Sequence, residues 1–296
     1  MLRYAYNTNG TAHHRLDDAL AFLADSGYDG VALTLDVHHL DPFADDFAAA
    51  TRTLARRLRA LRLGLVVETG ARYLLDPRAK HEPTLVSASA EGRARRLDFL
   101  RRCLDACAEC GGETVSFWAG VPRPDVDHGQ AWTWLADGVE QVVALAVERG
   151  VAPSLEPEPG MLIETADDWR RLRGMLGTAG APLRLALDTG HCLVTGDRDP
   201  ADAVRECAAD LGTVAVEDMR RGVHEHLPFG EGDMDTAAVL RALSEVGFDR
   251  LVTVELSRDS HRAHEMVPRA LEYLKAAERE RAAERGSVVE SNRMSS

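Results

Sequence analysis

Eight times along this chain a short apolar run gives way to a longer segment whose apolar residues recur at helical spacing. That alternation limits the fold more than any other feature. The runs lie at 2–6, 30–35, 64–68 and 113–117; two more end at Glu156 and Asp188, one lies at 213–217, and the last ends at Glu255. Helical segments follow at 15–26, 43–61, 91–110, 132–149, 167–176, 199–209, 236–246 and 262–280. Strands joined through helices run parallel, with right-handed crossovers. Eight is the number that closes such a sheet on itself, and a barrel of eight units needs roughly 250 residues. The expected fold class is therefore α/β, a single (β/α)8 barrel over residues 1–283, with a polar and disordered tail at 284–296. Gly27, Gly64, Gly111, Gly150, Gly212 and Gly247 mark helix-to-strand joints, as glycine does at helix C-termini.

Three acidic residues, Glu156, Asp188 and Glu255, each sit at the far end of a short apolar run. In a parallel barrel all strand C-termini open on one face, where active sites are built. Carboxylates delivered there, with His191 and the pair His224 and His226 just beyond, describe a divalent-metal centre. A bland reading stands beside each. Asp188 before Thr-Gly is a good helix N-cap, His224 and His226 suit a surface loop, and Gly230-Glu-Gly232 is most simply a turn. The net charge of −13 argues against nucleic acid and against an anionic membrane surface. Five cysteines, with no disulfide pattern, point to a reducing compartment. The N-terminus lacks a signal-peptide apolar stretch, and no run reaches about 18 apolar residues, so the expected location is the cytoplasm. Cys103-x-x-x-Cys107-x-x-Cys110 has an iron–sulfur spacing but falls within an amphipathic helix, where cysteine is a small core residue. No dinucleotide fingerprint follows the first strand.

The Glu156-Pro-Glu-Pro-Gly stretch, Asp188-Thr-Gly-His191, Glu217-Asp218 with the later Gly-Glu-Gly turn, and Val254-Glu255-Leu together resemble the xylose isomerase-like TIM barrel superfamily. That group includes sugar phosphate isomerases and epimerases, hydroxypyruvate isomerase, inosose dehydratase and abasic-site endonucleases. The resemblance implies metal ligation by Glu156, Asp188 and Glu255, with Glu156 also moving protons. It implies that His191 touches substrate or reaches a second metal. The endonuclease-like branch carries two further ligands where this chain has His224 and His226. One position departs: Ala215 stands where the family usually carries a ligand inside strand seven. Three accounts compete. His224 or His226 swings in, Glu217 substitutes from the same strand face, or the centre is degraded.

Such a site holds Mn²⁺, Mg²⁺, Zn²⁺ or Co²⁺. A cation gripping a carbonyl and its neighbouring hydroxyl stabilises the charge left when a carbon-bound proton departs. The expected activity is metal-dependent isomerisation or epimerisation of a small keto-sugar or polyol through an enediolate, with Glu156 and Glu255 as the proton-moving pair. The alternatives are a dehydratase or lyase on a similar substrate, an abasic-site endonuclease, and a degraded barrel serving as a binding subunit. The expected partner is a small sugar, with neither nucleic acid nor membrane; self-association is left open. The connection from Thr69 to Ser89 is long enough for a lid, and its Arg72, Lys80 and His81 suit a phosphate or carboxylate. Trp118 reads as a sugar-stacking ring or a barrel cap. Asn7, Asn9, His38 and His39 sit on the same presumed face, Asn7 being the candidate for a substrate hydroxyl.

Overall fold

The computed structural model describes residues 1–294, with side chains described through residue 279. Its elements in chain order are β1 (Arg3–Asn7), α1 (Leu16–Ser26), β2 (Gly30–Thr34), α2 (Phe47–Leu61), β3 (Gly64–Glu68), α3 (Ala90–Cys110), β4 (Thr114–Trp118), α4 (His128–Arg149), β5 (Ala152–Glu156), α5 (Ala166–Leu176), β6 (Arg184–Asp188), α6 (Thr189–Thr195), α7 (Pro200–Cys207), β7 (Leu211–Val216), β8 (Asp218–Arg220), β9 (Val223–Leu227), α8 (Thr236–Glu245), β10 (Leu251–Val254) and α9 (Ala263–Met294). Eight strands close a parallel barrel in the order β1-β10-β7-β6-β5-β4-β3-β2, as the alternation requires. Side chains within the expected 284–296 tail lie outside the described residues, and the backbone there is followed to Met294 as part of α9. Among the described residues no helix is long and apolar enough to cross a membrane.

The period of two along each strand separates two environments. One parity, including Tyr4, Tyr6, Val31, Leu33, Leu65, Val67, Phe117, Leu155, Leu187, Val214 and Val254, packs outward against the helices in the main apolar core. The other parity faces the barrel axis, and above a thin apolar bottom layer it is mostly small or polar. At the bottom Ala5, Ala32, Val66 and Leu251 form a separate small cluster. Above them stand Thr114 and Ser154, with hydroxyls 2.7 Å apart. Higher still, the same parity reaches Glu68 on β3, Glu156 on β5, Asp188 on β6 and Glu255 just beyond β10. Most barrels fill their axis with branched apolar layers; this one tapers from alanine to acid.

The structure departs from expectation in four places. Glu217 and Glu255 fall one residue past their strands, although the Glu255 amide still donates to Val216 O at 3.3 Å. Gly64 and Gly212 are not left-handed caps but strand residues needed for space: a Cβ on Gly212 would sit 2.1 Å from Ser154 Oγ. The other two are unforeseen elements: α6 directly after β6, and the antiparallel β8–β9 hairpin between β7 and α8. Neither has an apolar period that sequence reading can catch.

Asp218 anchors the hairpin's return. Its buried carboxylate accepts the amides of Gly230 (2.8 Å) and Met234 (2.9 Å), and a Cβ on Gly232 would lie 2.3 Å from its Oδ1. The Gly230-Glu-Gly232 stretch is thus a turn folded around a carboxylate. Asp218→Ala leaves two amides without an acceptor and is expected to cost roughly 2–4 kcal/mol, with Asp218→Asn milder. Urea unfolding checks this; an Ala variant as stable as wild type would show that the turn holds itself.

Candidate active site

A cavity of about 360 Å³ opens at the strand C-termini, lined on its floor by Glu68, Glu156, Glu158 and Glu255 and on one wall by His191, His224 and His226. A smaller void directly beneath touches Glu68, Glu156, Asp188 and Glu255 together with Thr213, Ala215 and Thr253. The four strand-end acids therefore surround one volume at the top of the barrel axis.

Asp188 divides its two oxygens. Oδ1 caps α6, accepting from Gly190 N (2.7 Å) and His191 N (3.1 Å). Oδ2 is buried without a hydrogen-bond partner. The N-cap reading of this residue is thus observed, and the cap leaves Oδ2 facing the site, because α6 starts where β6 ends. The first turn of α6 also brings His191 inward. Its Nδ1 stands 3.0 Å from Pro157 O and so carries the proton, leaving Nε2 toward Asp188 Oδ2 (3.4 Å) and Glu158 Oε2 (3.8 Å). A ring nitrogen facing carboxylate oxygens is favourable only with a proton or a cation between them. An imidazole oriented by a backbone carbonyl behind it is the usual arrangement of a metal-binding histidine.

The hairpin supplies the other two imidazoles. His224 and His226 are two apart on β9 and share one side of it. Their rings lie 4.8 and 6.3 Å from His191. His224 Nε2 is 3.7 Å from Glu158 Oε1, and His226 Nδ1 is 4.0 Å from Glu217 Oε1. Ala215 is level with Asp188 on one neighbour and Thr253 on the other, so its methyl leaves the usual ligand position short. Glu217, one pleat higher and fully buried, fills in toward Asp188; neither of its oxygens accepts from an N–H or hydroxyl donor, and its carboxyl stands close enough to that of Asp188 for the two to share a proton. Its reach depends on Gly190, where a Cβ would meet Glu217 Oε1 at 2.2 Å.

Three sets of donor atoms lie close enough to hold a metal ion: Glu156 with Asp188 and His191, Asp188 with Glu217 and His226, and the three histidines, each set within 4.8 Å. The residues of these sets carry the unpartnered atoms Asp188 Oδ2, His191 Nε2, Glu217 Oε1 and Oε2, and His226 Nδ1. The residues thus fit a bound cation.

The electrostatics record the same crowding. Burial pushes the Glu156 carboxyl well up, and Glu158, Glu68 and Asp188 push it further. Burial followed by Glu255 and Asp188 does the same to Glu68, and burial followed by Asp188 to Glu217. Burial also raises Glu158, partly offset by His191. Asp188 is opposite: burial would raise it, but His191 and His226 hold it below its ordinary value. Burial lowers His191, yet Asp188 and Glu158 leave it net raised. His224 is pushed down to about 4 by burial, then His191 and His226.

Of the residues singled out in the sequence, Glu156, Asp188, Glu217, His191, His224 and His226 come together. Glu255 lines the same cavity from the far side, outside the metal-spaced sets, where its Oε1 accepts from Asn9 Nδ2 at 2.8 Å. Asn7 lines the cavity but spends its Oδ1 on Thr34 Oγ1 and Asn9 N. Arg72, Lys80, His81 and Trp118 form the opposite rim. Trp118 is buried, with the Arg96 guanidinium 4.0 Å over its ring and His81 edge-on at 5.5 Å. His39 turns away, 3.2 Å from His14 O, and neither it nor His38 lines the cavity. Two floor residues escaped the sequence reading. Glu68 ends Gly64-Leu-Val-Val-Glu68 and carries the same apolar-run-then-acid signal as the other three. Glu158 lies in the quoted Glu-Pro-Glu motif without having been given a role.

The family model of the xylose isomerase-like TIM barrel matches residues 20–277. The L-ribulose 3-epimerase of Mesorhizobium japonicum is 25% identical over 250 residues, covering 80% of this chain and 74% of that protein. The inosose dehydratase of Geobacillus kaustophilus is 26% identical over 174 residues, covering 50% of this chain and 56% of that one. The solved structure of an L-ribulose 3-epimerase superposes with a TM-score of 0.75 at 21% identity, over 96% of this chain and 98% of that one. With its closed eightfold barrel and a model match across most of its length, the chain belongs to the xylose isomerase-like TIM barrel family.

Proposed function

We propose that this protein is a divalent-metal-dependent isomerase or epimerase of a small keto-sugar or polyol. The observation that carries the reading is the set of buried, partnerless donor atoms on Asp188, His191, Glu217 and His226, beside Glu156 at the top of the barrel axis. Relatives that are sugar epimerases support the substrate class. Glu156, Asp188 and His191 would hold the cation, with Glu217 and His226 compensating for Ala215. When bound, the cation supplies charge stabilisation for a carbonyl and adjacent hydroxyl. The donor set mixes carboxylate with imidazole, which suits Mn²⁺, Zn²⁺ or Co²⁺, and Mg²⁺ where fewer imidazoles take part.

The chain's own residues do the proton work. Strands β5 and β10 lie three places apart in a ring of eight, so Glu156 and Glu255 approach a bound substrate from nearly opposite sides. One carboxylate takes the proton from carbon beside the carbonyl, and the other returns one to the opposite face or to the neighbouring carbon. Asn9 fixes the Glu255 carboxylate by its 2.8 Å hydrogen bond, leaving one oxygen for the reaction. Ser116 Oγ reaches Glu156 Oε2 at 3.3 Å in the same way.

A second reading is favoured by the three-histidine group. Imidazoles at that spacing suit a second cation and phosphodiester hydrolysis, as in the endonuclease-like branch. The net charge of −13 opposes binding to a polyanion, and an electrophoretic assay with abasic DNA separates the two. Elimination of water would begin with the same proton abstraction, and the inosose dehydratase relative keeps it in view.

Two outcomes are expected. Glu156→Gln and Glu255→Gln each abolish solvent-deuterium incorporation into a ketose substrate while leaving the far-ultraviolet circular dichroism unchanged; full exchange in both variants would sink the proton-relay assignment. The second concerns pH. The carboxyls of Glu68, Glu156 and Glu217 are raised above the ordinary 4.5. Their folded form is therefore undisturbed below about that pH, and stability is lost as pH rises through the raised values. A cation removes this loss and must displace protons to bind. Melting-temperature gain on adding Mn²⁺ to chelator-treated protein should therefore grow as pH rises from 5 to 8. A gain independent of pH would place the metal away from these acids.

A further inference from the structure

The cavity has two electrostatic ends. Its floor is acidic, and its opposite rim carries Arg72 and Lys80. Both are exposed, and among the described residues neither is within ion-pair distance of a carboxylate. Arg72 makes one long contact, Nη2 to Ser257 O at 3.4 Å. The third rim cation, Arg258, is already engaged by Glu225 at 2.8 Å. Two cations left uncompensated at the mouth of an acid-floored cavity, in a chain carrying −13, call for an anion that arrives with the substrate.

The loop is built to present them together. The His81 amide donates to Arg72 O at 2.6 Å, tying the two ends of the 72–81 excursion. His81 holds a left-handed backbone, φ +66°, unusual for a residue with a Cβ. Its ring is edge-on to Trp118, and its Nδ1 is buried without a partner. Burial, then Lys80 and Arg96, push its pKa down to about 4 against a backbone hydrogen bond to Ala71, so at neutral pH the ring is uncharged and its one proton is taken by the Ala71 carbonyl.

We infer that the substrate carries an anionic terminal group, a phosphate or a carboxylate, which Arg72 and Lys80 hold at the cavity mouth while the carbonyl end lies against the acidic floor. A guanidinium fork and an ammonium suit a multidentate oxyanion. The cavity's size accommodates a five- or six-carbon sugar with such a group. The inference rests on the proposed activity for which end reacts. Binding itself does not depend on that activity.

Calorimetry with Mn²⁺-loaded protein would compare ribulose, ribulose 5-phosphate and 5-ketogluconate, in wild type and in the Arg72→Ala/Lys80→Ala double variant. Both side chains are exposed, and the backbone bond between Arg72 and His81 survives their truncation. Wild type should bind one of the charged ligands roughly ten- to a hundredfold more tightly than ribulose. The double variant should lose that preference while its affinity for ribulose is unchanged. Preference for the phosphate or for the carboxylate identifies the oxyacid, and competition by inorganic phosphate supports the former. Equal affinity for charged and neutral ligands, or a preference that survives in the double variant, would overturn the inference. If the charged ligand binds preferentially but undergoes no deuterium exchange, the anion subsite stands and the isomerase reading falls.

Discussion

Carboxylates from neighbouring strands share one buried volume here, and their mutual repulsion is the constraint on which the rest of the site depends. Two unit charges 4–5 Å apart repel by roughly 3–4 kcal/mol at the effective dielectric of protein interiors, about 20. Several such pairs together rival the whole stability of a folded domain, about 5–15 kcal/mol. Glu68, Glu156, Asp188, Glu217 and Glu255 cannot all be ionised without compensation. Protons can supply it, as the raised carboxyls of Glu68, Glu156 and Glu217 record. A divalent cation supplies it more completely and uses the donor atoms that protons leave idle. The small, polar barrel axis follows from the same constraint: a column of branched apolar side chains would raise the desolvation cost of the acids above it.

Much of this was legible in sequence because parallel strands deliver their last residues to one place. Five-residue apolar runs ending in Glu156, Asp188 and Glu255 announce both the barrel and its functional rim. The same logic applied to Gly64-Leu-Val-Val-Glu68 finds Glu68, which lies outside the 156–255 stretch where the motif resemblance is strongest. The histidine wall was harder to read. Val223–Leu227 alternates histidine with valine, glutamate and leucine, so no apolar face marks it as a strand. Its partner strand is three residues long. Only the pairing of β8 with β9 reveals that His224 and His226 face the mouth. The short α6 is hidden for a related reason: seven residues cannot show a helical period, so only the capping signal of Asp188 before Thr-Gly points to it.

Asp188 shows why competing readings of one residue need not exclude each other. A helix N-terminus offers amides that one carboxylate oxygen satisfies, and this fixes the side chain's rotation. The second oxygen is then held toward His191 without freedom to turn away. The cap thus pre-positions Oδ2 for the proposed ligand role, and the structural demand of starting a helix immediately after β6 fixes which way that oxygen faces.

The exchange at strand seven has the same character. Placing alanine level with Asp188 removes a donor and opens space, while Glu217 one pleat higher restores a donor with a longer side chain. That change is viable only because Gly190 has no Cβ; any other residue there would occupy the position of Glu217 Oε1. The donor that Glu217 brings is a carboxylate, so it adds negative charge where its neighbours are already acidic. The compensation lies nearby: His226 stands 4.0 Å from the new carboxylate, and the hairpin that carries it folds around Asp218, the next residue in the chain. Glu217 and Asp218 thus act in sequence, the first turned inward as a donor and the second turned outward to pin the loop that brings its partner. The loss at Ala215 is balanced by a linked group of residues from three elements, which argues against decay of the centre and for a centre rebuilt around a different donor.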